Sequence, residues 1–155
     1  MNRLDLLTLP FLLWSLQAHA EVRYVSQTGS DQAPYASWET AAHRIQPAVD
    51  AGDPGDIIVV GPAEYVEQVT LQEDMTLAGS GSDSTIIRQP DEAPHVIMAG
   101  ARVQIRDVSV HGALGPPQNP WDNYTTGILL MGGSGQLVTN CTVRGWFGVG
   151  IYGRD

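Results

Sequence analysis

Three six-residue blocks of one pattern sit 33 positions apart: Asp74-Met75-Thr76-Leu77-Ala78-Gly79, Asp107-Val108-Ser109-Val110-His111-Gly112 and Asn140-Cys141-Thr142-Val143-Arg144-Gly145. Each reads acid or amide, apolar, polar, apolar, any residue, glycine. His95 to Gly100 also lies over Ile128 to Gly133 at the same spacing, whereas Gly127 to Gly132 returns as Gly148 to Gly153 after only 21 residues. The missing 12 correspond to the stretch after Gly112, so the unit is about 21 residues with an optional insertion. Within it lie three short alternating strands, such as Leu129 to Met131, Leu137 to Val138 and Cys141 to Val143. Their turns are too tight for antiparallel hairpins on a common sheet but suit corners between parallel sheets in a coil. The expected fold is an all-β solenoid, with each strand bonded to its equivalent one coil away and inward residues stacked on their own kind. Met98 is expected over Met131 and Val110 over Val143. The Leu-x-x-Leu-x-Leu pattern of leucine-rich repeats is absent, and an antiparallel sandwich is the competing fold.

Before the repeats, Val22 to Val25 reads as a short strand and Gly29, Ser30, Asp31 and Pro34 as turns. Ser37 is placed to N-cap a helix whose apolar face is Trp38, Ala41, Ala42, Ile45 and Val49, with Pro47 splitting or kinking it. Asp53-Pro54-Gly55-Asp56 then turns the chain into the buried run Ile57 to Val60. An amphipathic helix feeding such a strand predicts an N-terminal capping helix.

The first twenty residues form a secretory signal: Met1-Asn2-Arg3, an apolar stretch from Leu6 to Leu16, and Ala18-His19-Ala20 ahead of a cleavage point. That stretch is short of the roughly 20 apolar residues that span a bilayer, so membrane insertion is not expected. The mature chain, residues 21–155, is expected to be one secreted or periplasmic domain. In the whole sequence 17 acidic residues outnumber 8 basic ones, all arginine, giving a net charge of −9. Nucleic acid is excluded as a partner, because phosphates require a basic face. Cys141 stands alone, so no intramolecular disulfide forms.

Several segments together resemble the N-terminal block of the pectate-lyase-like right-handed parallel β-helix superfamily. They are Tyr24-Val25-Ser26, Gly29-Ser30-Asp31, Ala42 to Ala48, Gly55 to Val60, Glu64-Tyr65-Val66-Glu67, Met75 to Gly81 with Thr85-Ile86-Ile87, and Asn140 to Val143. The resemblance implies a right-handed parallel β-helix and a polysaccharide as partner, with lyase, hydrolase or esterase chemistry in the full-length protein. Pectin methylesterases share a Gly-x-Tyr-x-Glu element, here without its glycine, and their glutamine- and aspartate-bearing catalytic motifs are absent. So is the Asp-Pro-His-Asp signature of alginate epimerases. Calcium enters through the resemblance alone, since in calcium-dependent pectate lyases its carboxylates lie on middle rungs. A non-catalytic surface or adhesive β-helix is the alternative function.

The insertion Ala113 to Thr126 is the most function-like segment. Trp121 and Tyr124 offer flat faces, and Asp122 and Asn123 hydrogen bonds, a combination suited to sugar rings. His111 ends the strand before it, and Arg144 occupies the equivalent repeat position, so the two should stack side by side. A lyase acting on uronic acids needs a cation for the carboxylate and a base for the α-proton, which makes His111 and Arg144 the catalytic candidates. Asp74, Asp107 and Asn140, with Gly79, Gly112 and Gly145, are expected to be structural corner residues rather than metal ligands; no metal site is predicted. The last unit is left with unpaired Val149, Ile151 and Tyr152, so further rungs of the same chain are expected beyond Asp155.

Overall fold

The computed structural model describes residues 19–90, 93–112, 125–145 and 148–154. After β1 (Val22–Val25) and a short helix α1 (Ile45–Asp50), the chain is strands: β2 (Ile57–Val60), β3 (Ala63–Val66), β4 (Val69–Leu71), β5 (Thr76–Ala78), β6 (Thr85–Arg88) and β7 (His95–Ala99). There follow β8 (Gln104–Arg106), β9 (Ser109–His111), β10 (Thr126–Met131), β11 (Leu137–Thr139), β12 (Thr142–Arg144) and β13 (Val149–Arg154).

They form three sheets, ordered β1-β2-β5-β8-β11, β3-β6-β9-β12 and β4-β7-β10-β13. From β2 onward every third strand returns to the same sheet, so the chain visits the three sheets in turn and winds as a coil. All the pairings are parallel. That removes the antiparallel sandwich, because parallel neighbours need a crossover and here each crossover is the rest of a coil.

The interior is built of stacked identical positions. In the first sheet Ile58, Leu77 and Ile105 lie in register and are fully buried, with Val138 next in line. In the second, Tyr65, Ile87 and Val110 stack and Val143 follows, as expected for Val110 over Val143. In the third, Val69, Ile97 and Ile128 do the same. Each such aliphatic side chain contributes about 1.5–3 kcal/mol by leaving water. β11, β12 and β13 are the outer strands, and there Leu137, Val149, Ile151 and Tyr152 are 44–49% exposed.

The constant 33-residue spacing does not survive. In the first sheet Ile57 pairs with Thr76, Thr76 with Gln104 and Gln104 with Leu137, so the period widens from 19 to 28 to 33 positions. Asp74 therefore does not stack on Asp107: it precedes a strand of the first sheet, whereas Asp107 precedes a strand of the second. Its counterpart is Arg102, and Gly79 lies against the Asp107 backbone rather than over Gly112. The corner from β5 to β6 holds residues 79–84 but that from β8 to β9 only 107–108. A fixed count from β5 thus lands one sheet too far. Met98 likewise pairs with Leu129, not Met131. The glycine corner 132–136 is longer than its counterpart 100–103, so the third sheet is offset by 31 where the first is offset by 33. The last coil advances by 23 residues in the third sheet, not 21.

The expected long helix is also shorter than its pattern. Ser37 caps nothing helical: its hydroxyl turns back on Thr40, and Ala42 instead joins the sheet edge through a bridge to Val25. Only Ile45–Asp50 is helical, with Ile45, Ala48 and Val49 buried. Pro47 neither splits nor kinks it, because a first-turn N–H has no intrahelical partner to lose. The start of α1 is held from a distance by Glu67, 3% exposed, whose carboxylate accepts the N–H of Ile45 at 2.7 Å and of Gln46 at 3.0 Å. The Gln46 side-chain amide accepts the Thr70 N–H at 2.7 Å, occupying the free edge of β4.

Candidate functional site

Since Tyr65, Ile87, Val110 and Val143 face inward, strand alternation turns their neighbours outward. One outward column of the second sheet runs Val66, Arg88, His111, Arg144, and a parallel one runs Glu64, Ile86, Ser109, Thr142. Charge gathers on the first. Arg88 grips Glu64 across the strand pair with a two-pronged contact, Nε to Oε1 at 2.7 Å and a terminal nitrogen to Oε2 at 2.6 Å. Arg144 Nε donates to His111 Nε2 at 2.8 Å. His111 and Arg144 thus stand side by side.

An arginine has only donors, so the His111 Nε2 must be the acceptor and the imidazole is neutral, with its proton on Nδ1. Burial first, then the Arg144 and Arg88 guanidinium groups, lower its pKa below the usual histidine value against an opposing pull from Glu64. The ring is 6% exposed while Arg144 is exposed. Chemically, such an arrangement can attract an anion. Glu64 offsets Arg88, His111 carries no charge, and Arg144 uses Nε on His111, with no bond from its terminal nitrogens among the described residues. To act as a base, His111 would first have to lose the hydrogen bond from Arg144, which occupies the ring's one accepting lone pair.

The depressed histidine pKa gives a pH prediction. Between the unfolded value, about 6.5, and the lower folded one, the unfolded chain binds a proton that the folded chain does not. Stability therefore falls as pH drops through that window. Denaturant titrations at pH 7.5 and 5.5 should show a smaller loss in His111→Gln than in the parent. An equal loss would mean that His111 is not the group responsible.

The stretch 113–124, with Trp121, Asp122, Asn123 and Tyr124, lies outside the described residues. Its two ends, Gly112 and Thr125, flank β9 and β10. The corner after β12 is tight: at Gly145, φ +120°, a Cβ would lie 2.7 Å from the Gly112 nitrogen, so there is no room for one.

Asp74, Asp107 and Asn140 all occupy left-handed corners, at φ 63°, 60° and 50°. Asn140 Nδ2 donates to Asp107 Oδ1 at 2.6 Å, and Asp74 is held by the Arg102 guanidinium at 2.5 and 2.7 Å. Among the described residues no three His, Cys, Asp or Glu side chains converge on a point. With Asp74 and Asp107 engaged by arginine and asparagine, these residues do not fit the calcium that the fold family implies. Sequence reasoning missed Arg88 and Glu64. Their signal, opposite charges two positions apart on paired strands, appears only once the register is known.

No protein-family model matches the sequence, and no curated protein matches it. Among solved structures the chain is similar to pectin methylesterase PemA from Erwinia chrysanthemi, with a TM-score of 0.63 over 88% of this chain at 13% sequence identity. The match covers 46% of that protein, so the chain spans about half its length. The fold is a right-handed parallel β-helix.

Proposed function

From that shared fold, we propose that the chain is the N-terminal part of an exported β-helix protein that binds an acidic extracellular or cell-wall polysaccharide on the outer face of its second sheet. In its full-length form the protein processes that polymer. The observation that carries the reading is the Arg88–His111–Arg144 column, a local cation on a chain of net charge −9, placed where β9 leads into the aromatic insertion. A uronate carboxylate matches the fork of Arg144, whose terminal nitrogens make no bond among the described residues, and Trp121 and Tyr124 supply faces for the sugar ring. The similar solved structure is a pectin methylesterase, whose name points to pectin, a polymer of that class. Residues 1–20 direct export and are removed after Ala20; residues 1–18 lie outside the described residues. No described helix is long and apolar enough to cross a membrane. α1 closes the N-terminal end of the coil, supported by its buried face and by Gln46 on the β4 edge. The exposed apolar residues of β11 and β13 support further rungs covering the other end.

Arg144→Ala is expected to weaken binding of an oligogalacturonate about 10-fold, a loss of about 1.4 kcal/mol, with a modest drop in melting temperature because the His111 Nε2 loses its donor. Arg88→Ala should weaken it less, Glu64 having already neutralised that charge. Calorimetric titration of both variants checks this, and unchanged affinity in Arg144→Ala would remove the proposed face. A non-catalytic adhesive β-helix remains the second reading, favoured by the occupied lone pair of His111. It predicts binding without any change in polymer length or esterification.

A further inference from the structure

At the start of the first sheet lies a charged cluster that the proposed binding face does not use. Arg23, on β1, is 5% exposed. Its guanidinium donates to Asp56 Oδ2 and to the Pro34 carbonyl, each at 3.2 Å, and approaches Glu21 Oε2 at 2.8 Å, while its buried Nε has no partner among the described residues. Asp56, 3% exposed, accepts the backbone N–H of Asp53 at 3.0 Å and, on its other oxygen, that of Glu21 at 2.8 Å. The Glu21 carbonyl in turn accepts the Ile57 N–H at 2.9 Å, so the Glu21 backbone is fixed at the sheet edge. Two carboxylates face one guanidinium, the buried Asp56 and, at 64% exposure, Glu21, so the cluster carries one negative charge in excess beside a buried carboxylate. One further positive charge at the Glu21 nitrogen would balance it.

That nitrogen is the one that hydrolysis after Ala20 would release. We propose that the Ala20–Glu21 bond is a processing site and that the liberated α-ammonium of Glu21 forms a structural ion pair with Asp56, locking the mature N-terminus onto the coil. The processing step rests on the export reading above; the ion pair does not. In the cleavage, catalysed by a peptidase, water adds to the Ala20 carbonyl and the C–N bond breaks. The hydroxyl stays on Ala20 as its carboxyl group, and the nitrogen takes the protons that make it ammonium at neutral pH. His19 and Ala20 are exposed, which leaves the bond accessible, and Ala18 and Ala20 are the small residues such peptidases take. The ammonium keeps the hydrogen bond the amide already makes to Asp56 Oδ1 and adds the missing charge. Burial pushes the Asp56 carboxyl pKa upward, but the Asp53 and Glu21 N–H donors and the Arg23 charge outweigh it, so its net shift is downward and the partner is an anion.

The chain contains no lysine, so in protein beginning at Glu21 the α-amine is the one primary amine. Its acylation by an amine-reactive ester at neutral pH, followed by mass spectrometry, reads the contact directly. The folded protein is expected to react at least 10-fold more slowly than the same protein in denaturant. A Gly-Ser extension before Glu21 should abolish that protection and lower the melting temperature, and Asp56→Asn should abolish it too. Equal rates in folded and unfolded protein, or full protection in the extended variant, would overturn the ion pair. The extended variant decides the matter if Asp56→Asn does not fold. Separately, full-length chain expressed in a bacterium is expected to be recovered outside the cytoplasm with Glu21 first. A different first residue there overturns the processing site, whereas retention in the cytoplasm with Met1 overturns the export reading and the processing site together.

Discussion

Replacing Glu67 by alanine is expected to destabilise the protein by about 3 kcal/mol, because it strips one buried and one half-buried N–H group of their acceptor at roughly 1–3 kcal/mol each. Glu67 is 3% exposed, and its oxygens receive the Ile45 and Gln46 N–H groups at the start of α1. Arg44 adds little, since its guanidinium is 3.7 Å away and largely in water. Glu67→Gln separates the hydrogen-bonding role from the charge. An amide oxygen still accepts, but its nitrogen would face a donor, so about half of the loss should return. Urea denaturation of the three proteins measures this. A Glu67→Ala protein as stable as the parent would show that α1 does not depend on this carboxylate.

The second large effect belongs to the interior column. Ile105→Ala is expected to cost about 2–5 kcal/mol, the range for removing a large aliphatic side chain from a packed core. Ile105 is fully buried between Leu77 on one coil and Val138 on the next. Neither neighbour can close the gap without dragging its own strand out of register. Val138, nearer the outer strands and only partly buried, should lose markedly less as Val138→Ala. The contrast between the two tests the stacking itself: equal losses would mean that the columns do not carry the stability.

Much of this architecture is readable from residue order. β1 and β2 coincide with the short strand read at Val22 to Val25 and the apolar run Ile57 to Val60, and the pairs Val110–Val143 and His111–Arg144 follow from the 33-residue match. That match holds because the corners 107–108 and 140–141 are equally long. It fails for Asp74 and Met98 because alternation of apolar and polar residues says that a strand is present but not to which of three sheets it belongs. Corner length decides that, and corners vary freely on the outside of a coil. The helix was overextended for a related reason. Ala41 and Ala42 are buried as the apolar spacing requires, but one sits in a turn and the other bridges to β1. Glu64, Glu67, Arg88 and Asp56 were out of reach, because each acts on a partner more than 20 positions away through contacts that only the coil creates.

The most direct measurement of the binding proposal is an NMR titration of the arginine Nε–H groups with an oligogalacturonate. The chain has only eight arginines and no lysine to compete. The Arg144 signal, and more weakly that of Arg88, should shift in saturable fashion, while Arg106, on the first sheet, and Arg102, in the corner before its strand, should not. Shifts confined to Arg102 or Arg106, or none at saturating ligand, would contradict an acidic-polysaccharide site on the second sheet.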